Sequence, residues 1–268
     1  MNKLKLWKQH ATFDEAEQQW EEGRRLAEQQ QPIKKLAVLP DMVGITPDTA
    51  KGLKWKSFKW MLAKDHERKI LKGFLTHPFK YAWQYLKSLY KKKPYTRSGD
   101  FFYYNLRSLE QLLAFAKRED SILIVGFSYC HKPFECPSGR FTDACQHNLD
   151  NPVCRQCFIG KAVHALPDNV RILYIPTVHY IGEKIFEIVH ANPGKQVVFL
   201  ITACEMTLEM FGDWGNMVGI KGVGVRLGGR ICNTMKAFEL SENGIKPGLT
   251  VVLDETQQRL LQFIKLLH

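Results

Sequence analysis

The sequence predicts an α/β fold in which a mostly parallel sheet occupies the C-terminal half and helices precede it. Three segments in that half are short, rich in β-branched residues and apolar on both faces: residues 121–127 (SILIVGF), 170–175 (VRILYI) and 196–202 (QVVFLIT). Stretches with helical periodicity separate these segments. Continuously apolar strands that alternate with amphipathic helices are typical of a parallel sheet covered on both faces.

The finer expectation is a Rossmann-like, doubly wound domain over residues 119–268. Residues 218–227 are a fourth strand candidate, although their glycines weaken the pattern, and residues 250–253 (TVVL) are a fifth. Residues 1–118 are expected to form a separate helical section. We therefore divide the chain at residue 118.

The N-terminal section shows helical signals along most of its length. Residues 12–30 are rich in Glu, Gln and Ala and begin with capping-box spacing between Thr12 and Glu15. A basic stretch follows, with a break expected near Pro78, and a further helix is predicted over residues 106–118.

The excess positive charge is concentrated in one stretch. The net charge is +11, and residues 51–97 contain 14 lysines and arginines against two acidic residues, together with ten of the 31 aromatic residues. Cations mixed with aromatics suit an anionic membrane surface or nucleic acid, and we favour the membrane. A third interpretation is a helical layer whose aromatics pack on the core while its lysines are solvated.

The cysteines indicate metal binding rather than a disulfide framework. Seven are present, and five of them fall within residues 130–157. Disulfide frameworks belong to small exported domains, and the N-terminus shows no apolar signal-peptide core. We expect a cytoplasmic protein, attached peripherally to the membrane if the basic stretch binds lipid. In a reducing compartment, clustered thiols point to metal ligation or redox chemistry.

Three of the cysteines follow predicted strands. Cys130 follows the first strand, Cys204 follows the strand over residues 196–202, and Cys232 follows the fourth candidate. Parallel α/β sheets bind their ligands at the carboxyl ends of the strands. Thr177 and His179 follow another strand and should supply a hydroxyl and an imidazole at the same edge.

The other four cysteines lie in a long loop: Cys136, Cys145, Cys154 and Cys157. A loop of this length inside a compact domain needs a stabilising reason, and thiolates bridged by a metal would provide one. The Cys154-x-x-Cys157 spacing lets both sulfurs reach one metal or one cluster. The irregular spacing of the whole set favours an iron–sulfur cluster over zinc, which remains the alternative.

An ordered set of motifs in residues 120–240 resembles the family known as domain of unknown function 116. The set comprises Tyr129-Cys130, Glu135-Cys136-Pro137, Cys154-x-x-Cys157, Ala203-Cys204-Glu205 and Cys232-Asn233-Thr234. The resemblance implies an iron–sulfur cluster but no particular reaction. The sequence departs from the family at Asn151, where a first cysteine of the knot would fall, and Cys145 is its candidate substitute.

The sequence thus predicts an iron–sulfur protein with a redox or cluster-dependent role and a redox partner protein. The first-choice ligands of a four-iron, four-sulfur cluster are Cys130, Cys136, Cys154 and Cys157. All seven cysteines are candidate metal ligands, so Cys145, Cys204 and Cys232 complete the set. The alternative is a zinc-stabilised, non-catalytic module that docks on membrane or nucleic acid through residues 51–97. A metal-free thiol enzyme that pairs Cys204 with His179 is a third hypothesis.

Overall fold

The computed structural model describes residues 15, 18, 22, 25, 45, 47–89, 95–246 and 248–268. The predicted helix over residues 12–30 lies outside these residues except at positions 15, 18, 22 and 25, which are helical. The lysine run 91–93 also lies outside them.

The described chain alternates strands and helices. The strands are β1 Thr96–Ser98, β2 Phe101–Tyr104, β3 Ser121–Ser128, β4 Arg171–Ile175, β5 Gln196–Ala203, β6 Lys221–Arg226, β7 Gly228–Gly229 and β8 Thr250–Val251. The α-helices are α1 Pro47–Ala50, α2 Leu53–Lys64, α3 Lys69–Leu75, α4 Pro78–Leu89, α5 Leu109–Ala116, α6 Pro152–Gln156, α7 Phe158–Ala165, α8 Val178–Ala191, α9 Glu205–Val218, α10 Met235–Ser241 and α11 Asp254–Lys265. Short 3₁₀ turns lie at His66–Arg68 and Tyr129–His131.

A six-stranded sheet forms the centre of the fold. Its strand order is β1-β2-β6-β5-β3-β4, and the four strands from β6 to β4 are parallel. The predicted α/β class and mostly parallel sheet are therefore confirmed. Strands β3 and β5 lie side by side in the middle, so their carboxyl ends bring together segments more than 70 residues apart.

The antiparallel edge of the sheet comes from the N-terminal section, which was expected to be helical. Strands β1 and β2 form a hairpin, and β2 pairs with β6. All four residues of β2 are buried. In β6, a Cβ on Gly224 would lie 2.5 Å from the Leu208 side chain and 3.1 Å from that of Tyr104. Gly224 therefore makes room for Leu208 of α9 and Tyr104 of β2, whereas Gly222, where a Cβ would lie 2.5 Å from the Phe199 ring, makes room for β5.

Helices cover both faces of the sheet. Helices α5, α7 and α11 pack on one face around Leu112, Ile159 and Phe263. Helices α8 and α9 pack on the other face, where Ile181 and Leu208 belong to a second core. Strands β7 and β8 form a separate two-stranded sheet, so the fifth predicted strand does not join the main one.

The helices of the basic stretch pack on the outside of α8 and α9. Helix α3 contacts α8 closely, since a Cβ on Gly73 would lie 2.7 Å from the Phe186 ring. Helices α2 and α4 contact α9. Among the described helices, none combines the length and apolarity needed to cross a bilayer.

Candidate functional site

The seven cysteines, all free thiols, fall into two groups in the fold. The loop cysteines surround one small pocket: Cys136, Cys145, Cys154 and Cys157. The strand-end cysteines influence one another's ionisation at the carboxyl edge of the sheet: Cys130, Cys204 and Cys232. The loop cysteines lie together because one loop folds around the pocket. The strand-end cysteines lie together because the strands they follow are neighbours in the sheet.

Two short helices position Cys154 and Cys157. Asn151 caps α6 by accepting a hydrogen bond from the Val153 backbone N–H (2.9 Å), and Cys154 lies inside that helix. Cys157 lies between α6 and α7, at the N-cap of α7. A Cβ on Gly160 would lie 2.2 Å from the Cys154 carbonyl oxygen. Only glycine therefore allows α7 to approach α6 this closely.

A buried lysine holds the loop that carries Cys136 and Cys145. The side chain of Lys132 is almost fully buried, and its Nζ donates to the carbonyl oxygens of Thr142 (2.9 Å) and Ala144 (2.7 Å). Burial lowers the pKa of Lys132, whereas Cys136 and Cys145 raise it. The loop cysteines thus have a cationic amine beside them.

The pKa values of the Cys154 and Cys157 thiols are raised, so these two favour the protonated form until something else supports their ionisation. Burial raises the pKa of Cys157 to about 11, although the backbone N–H groups of Gly160 and Ile159 oppose this shift. Burial also raises the pKa of Cys154, and Cys145 adds to that rise. A bound metal would stabilise the thiolates, because thiolates are the ligating species.

The spacing of the side chains does not match a mononuclear site. Within the described part of the chain, no three or more His, Cys, Asp or Glu side chains are grouped so that they could hold one metal ion. The donor set nevertheless has the composition of a four-cysteine cluster site. In such a cluster each thiolate binds a different iron, so its sulfurs lie farther apart than the ligands of one zinc ion.

The strand-end cysteines meet because β3 and β5 are neighbours. Cys130 lies in the turn that follows β3, and Cys204 is the N-cap of α9, directly after β5. Both line a cavity at the carboxyl ends of β3, β4 and β5, together with Thr177 and Glu242. The predicted location at the strand ends is therefore observed for these two cysteines.

A hydrogen bond between the side chains of Cys204 and Cys232 shifts the pKa values of the two thiols in opposite directions. This hydrogen bond and the nearby Lys246 lower the pKa of Cys232 to about 5, although burial opposes the shift. The same hydrogen bond and burial raise the pKa of Cys204. Lys246 Nζ donates to the Cys232 sulfur (3.3 Å), and the Cys204 sulfur lies 3.2 Å from Thr207 Oγ1.

Two further charged groups complete the surroundings of this pair. Burial alone would lower the pKa of Lys246, but Cys130 and Cys232 raise it above its ordinary value. Glu242 Oε2 accepts a hydrogen bond from the Val178 backbone N–H at the start of α8 (2.9 Å). Burial raises the pKa of Glu242 to about 8. A carboxyl group of the protein thus occupies the N-terminus of α8.

Arg140 links the two cysteine groups. Its guanidinium donates to the backbone carbonyl oxygens of Cys130 (3.2 Å) and Lys132 (3.2 Å) on one side. On the other side it donates to those of Lys246 (2.8 Å) and Gly248. One side chain of the cysteine loop therefore connects the end of β3 to the segment that carries Lys246.

Comparison with known proteins gives no relative. Neither protein-family models, nor curated proteins, nor solved structures contain a match. The function of the chain must therefore be inferred from its own residues.

The structure groups the predicted ligands differently from the first-choice set. Cys136, Cys154 and Cys157 share one pocket, as expected, but Cys130 lies with Cys204 at the strand ends. Cys145 takes the fourth place around the loop pocket. The seven cysteines therefore do not meet in a single pocket.

Three histidines near the cysteines in the sequence, His131, His147 and His179, have different surroundings. His131 is buried with Nε2 3.0 Å from Thr202 Oγ1, and burial lowers its pKa to about 3. His179 lies against the Trp60 ring, 4.4 Å between centroids, and its Nε2 is 3.2 Å from the Met61 carbonyl oxygen. It does not line the cavity beside Cys204. His147 does line the loop pocket.

Sequence reasoning missed the charged residues that surround the thiols. Lys132, Arg140, Glu242 and Lys246 occur in ordinary polar contexts, and nothing in their spacing marks them as buried. Arg140 offered one signal, because it lies inside the cysteine loop. Arg226, the last residue of β6, forms an ion pair with Asp100 (2.9 Å).

Proposed function

We propose that the protein binds a four-iron, four-sulfur cluster through Cys136, Cys145, Cys154 and Cys157. The supporting observation is that these four thiols surround one pocket although the first and last are 21 positions apart in the chain. Four thiolates are the usual ligand set of such a cluster. The resemblance to the domain of unknown function 116 family points to the same cofactor.

The residues around the pocket suit a negatively charged cofactor. The Lys132 ammonium would offset the charge of four thiolates, and the first backbone N–H groups of α7 would stabilise the Cys157 sulfur. When bound, such a cluster supplies one-electron transfer, and we propose a redox partner protein to match. The strand order is compatible with a Rossmann-like, doubly wound fold as the scaffold.

Metal analysis after purification without air tests this proposal. We expect a brown protein with about four irons and four sulfides per chain. Replacing Cys154 or Cys157 with serine should remove most of the iron, because each loses a ligand. Cys204→Ser is the matched control and should keep its iron. A colourless protein with stoichiometric zinc would favour the zinc-stabilised module, and iron loss in Cys204→Ser alone would contradict the ligand set.

We further propose that the basic helices bind an anionic membrane surface. Trp55, Phe58 and Leu62 are exposed along one side of α2, opposite its buried residues, while Phe79 and Trp83 are exposed on α4. The two helices are adjacent, because Lys54 Nζ lies 5.7 Å from the Tyr85 ring centre.

The positive charge of these helices favours an anionic partner. Residues 47–89 contain ten lysines and arginines and three acidic residues. Exposed aromatics flanked by lysines suit the headgroup region of anionic lipid, where each nearby cation contributes about 1 kcal/mol. Nucleic acid would also attract the cations, so the experiment includes it.

Flotation with lipid vesicles tests the membrane proposal. The protein should float with anionic vesicles, stay behind with neutral ones, and dissociate as salt is raised. Replacing Trp55 and Trp83 together with serine should weaken binding by about tenfold or more, since each loses apolar burial. Leu266→Ser, at another exposed apolar residue, should bind normally. Equal flotation by both variants, or tighter binding to nucleic acid than to vesicles, would contradict the proposal.

A further inference from the structure

The strand-end cysteines have features that buried structural thiols lack. Cys204 and Cys232 come from different elements and lie in the same buried cluster, and Lys246 Nζ contacts the Cys232 sulfur (3.3 Å). Lys246 is 8% exposed. A buried lysine is unfavourable unless an anion pairs with it. Because the Lys246 ammonium donates a hydrogen bond to the Cys232 sulfur, this contact stabilises Cys232 as a thiolate.

The cavity gives this pair access to a small reactant. Cys204 lines the cavity at the carboxyl ends of β3 and β5, beside Thr177 and Thr207. Both sulfurs belong to residues that are at most 4% exposed, so a bulky reactant would not reach them. A molecule close to water in size would reach Cys204 first.

We propose that Cys204 and Cys232 form a redox-active dithiol, which a peroxide entering this cavity oxidises to a disulfide. Cys204 is the attacking residue, because it faces the cavity. Cys232 accepts the proton of Cys204 and then resolves the intermediate. Lys246 stabilises the single negative charge of the pair.

Each step balances in atoms and electrons. Cys204 gives its proton to the Cys232 sulfur, and the resulting Cys204 thiolate attacks one oxygen of hydrogen peroxide. The O–O bond breaks, hydroxide leaves, and Cys204 becomes a sulfenic acid. The Cys232 thiol then attacks the Cys204 sulfur, the S–O bond breaks, and the S–S bond forms as water leaves. The pair loses two electrons, and hydrogen peroxide is reduced to one hydroxide and one water.

The arrangement also divides the work between the two sulfurs. Cys204 lines the cavity and Cys232 does not, so access rather than ease of ionisation makes Cys204 the attacking sulfur. Cys204 also begins the 14-residue helix α9, whose N-terminus favours negative charge on the side chain. The Cys232 thiolate, held by Lys246, is the nearby base that removes the proton.

Peptide mapping of the full chain tests the proposal directly. The protein is treated anaerobically with one equivalent of hydrogen peroxide, alkylated, digested and mapped without reduction. We expect one cross-linked peptide pair that joins Cys204 to Cys232. This experiment uses the wild-type protein, so its result does not depend on whether a variant folds. A cross-link from Cys130 to either partner, or none at all, would overturn the proposal.

Three variants assign the roles. In Cys232→Ser a sulfenic acid should persist on Cys204, where dimedone traps it, and oxidation should slow about tenfold because the base is lost. Cys204→Ser should give neither cross-link nor sulfenic acid. Cys130→Ser, the matched control from the same group, should keep the Cys204–Cys232 cross-link. Dimedone labelling of Cys232 in Cys204→Ser would overturn the assignment of the attacking sulfur.

The inference is independent of the proposed cluster. The dithiol uses none of the loop cysteines, so the cross-link should form whether or not the protein contains iron. Conversely, an iron-containing protein without the cross-link would refute the dithiol and leave the cluster intact.

Discussion

Replacing Lys246 with methionine should lower the free energy of unfolding by about 3 kcal/mol at pH 7, the low end for breaking a buried ion pair. The variant removes the ammonium 3.3 Å from the Cys232 sulfur and leaves that thiolate without a cation. The expected loss of unfolding free energy is at the low end of the range for buried ion pairs, because Cys232 can take up a proton and so avoid a buried, unpaired charge.

The pH range of this effect follows from the shift at Lys246. Its pKa is higher in the folded protein than its ordinary value of 10.5, so the folded state binds the proton more tightly than the unfolded chain. On the alkaline side the stabilisation is therefore lost only as the pH rises above about 10, and on the acid side it is lost as the pH falls through about 5, where Cys232 takes up a proton. Denaturant unfolding at pH 7 measures the difference.

A matched control separates the buried ion pair from a general effect of losing charge. Lys236 is exposed on α10, and Lys236→Met should change the unfolding free energy by less than about 0.5 kcal/mol. Equal stability of the two variants would mean that the Lys246–Cys232 contact is not an ion pair.

Adding one methyl group at Gly160 should disrupt the loop pocket. In Gly160→Ala the new Cβ would lie 2.2 Å from the Cys154 carbonyl oxygen, and backbone atoms must move to relieve that overlap. Overpacking of this kind costs about 1–3 kcal/mol. Because α6 and α7 carry Cys154 and Cys157, we expect iron retention to fall along with stability. Denaturant unfolding and iron analysis of the same preparation measure both.

Gly215 provides the comparison for Gly160. It also lies inside a helix, but a Cβ there would meet the Phe211 ring at 3.4 Å, an ordinary contact. Gly215→Ala should therefore keep its iron and be as stable as the wild type or slightly more so. Normal iron content in Gly160→Ala would show that the spacing of α6 and α7 is not critical.

The sequence predicted the features that depend on local pattern. Strands β3, β4 and β5 are continuously apolar, and their carboxyl ends had to share one edge once the sheet was parallel. That reasoning placed Cys130 and Cys204 near each other from the sequence alone. The break at Pro78 and helix α5 followed from similarly local signals.

The remaining features depend on tertiary contacts. Strand β2 is a short aromatic run whose partner β6 lies more than 100 residues away in the chain. The cysteines fall into two groups because of the way the loop folds: Cys145 lies at the loop pocket, whereas Cys130 lies at the strand ends. The buried lysines have no sequence signature, because an amine is buried only where carbonyl oxygens or a thiolate converge on it.

The Arg140 guanidinium has a consequence for cooperativity at this end of the molecule. It holds carbonyl groups on both sides of the cysteine loop, so the loop cannot detach without also releasing the segment that carries Lys246. Local opening of the two regions is therefore a single event with a single free energy. Hydrogen exchange of their amides would accordingly share one protection factor, like the parts of one foldon.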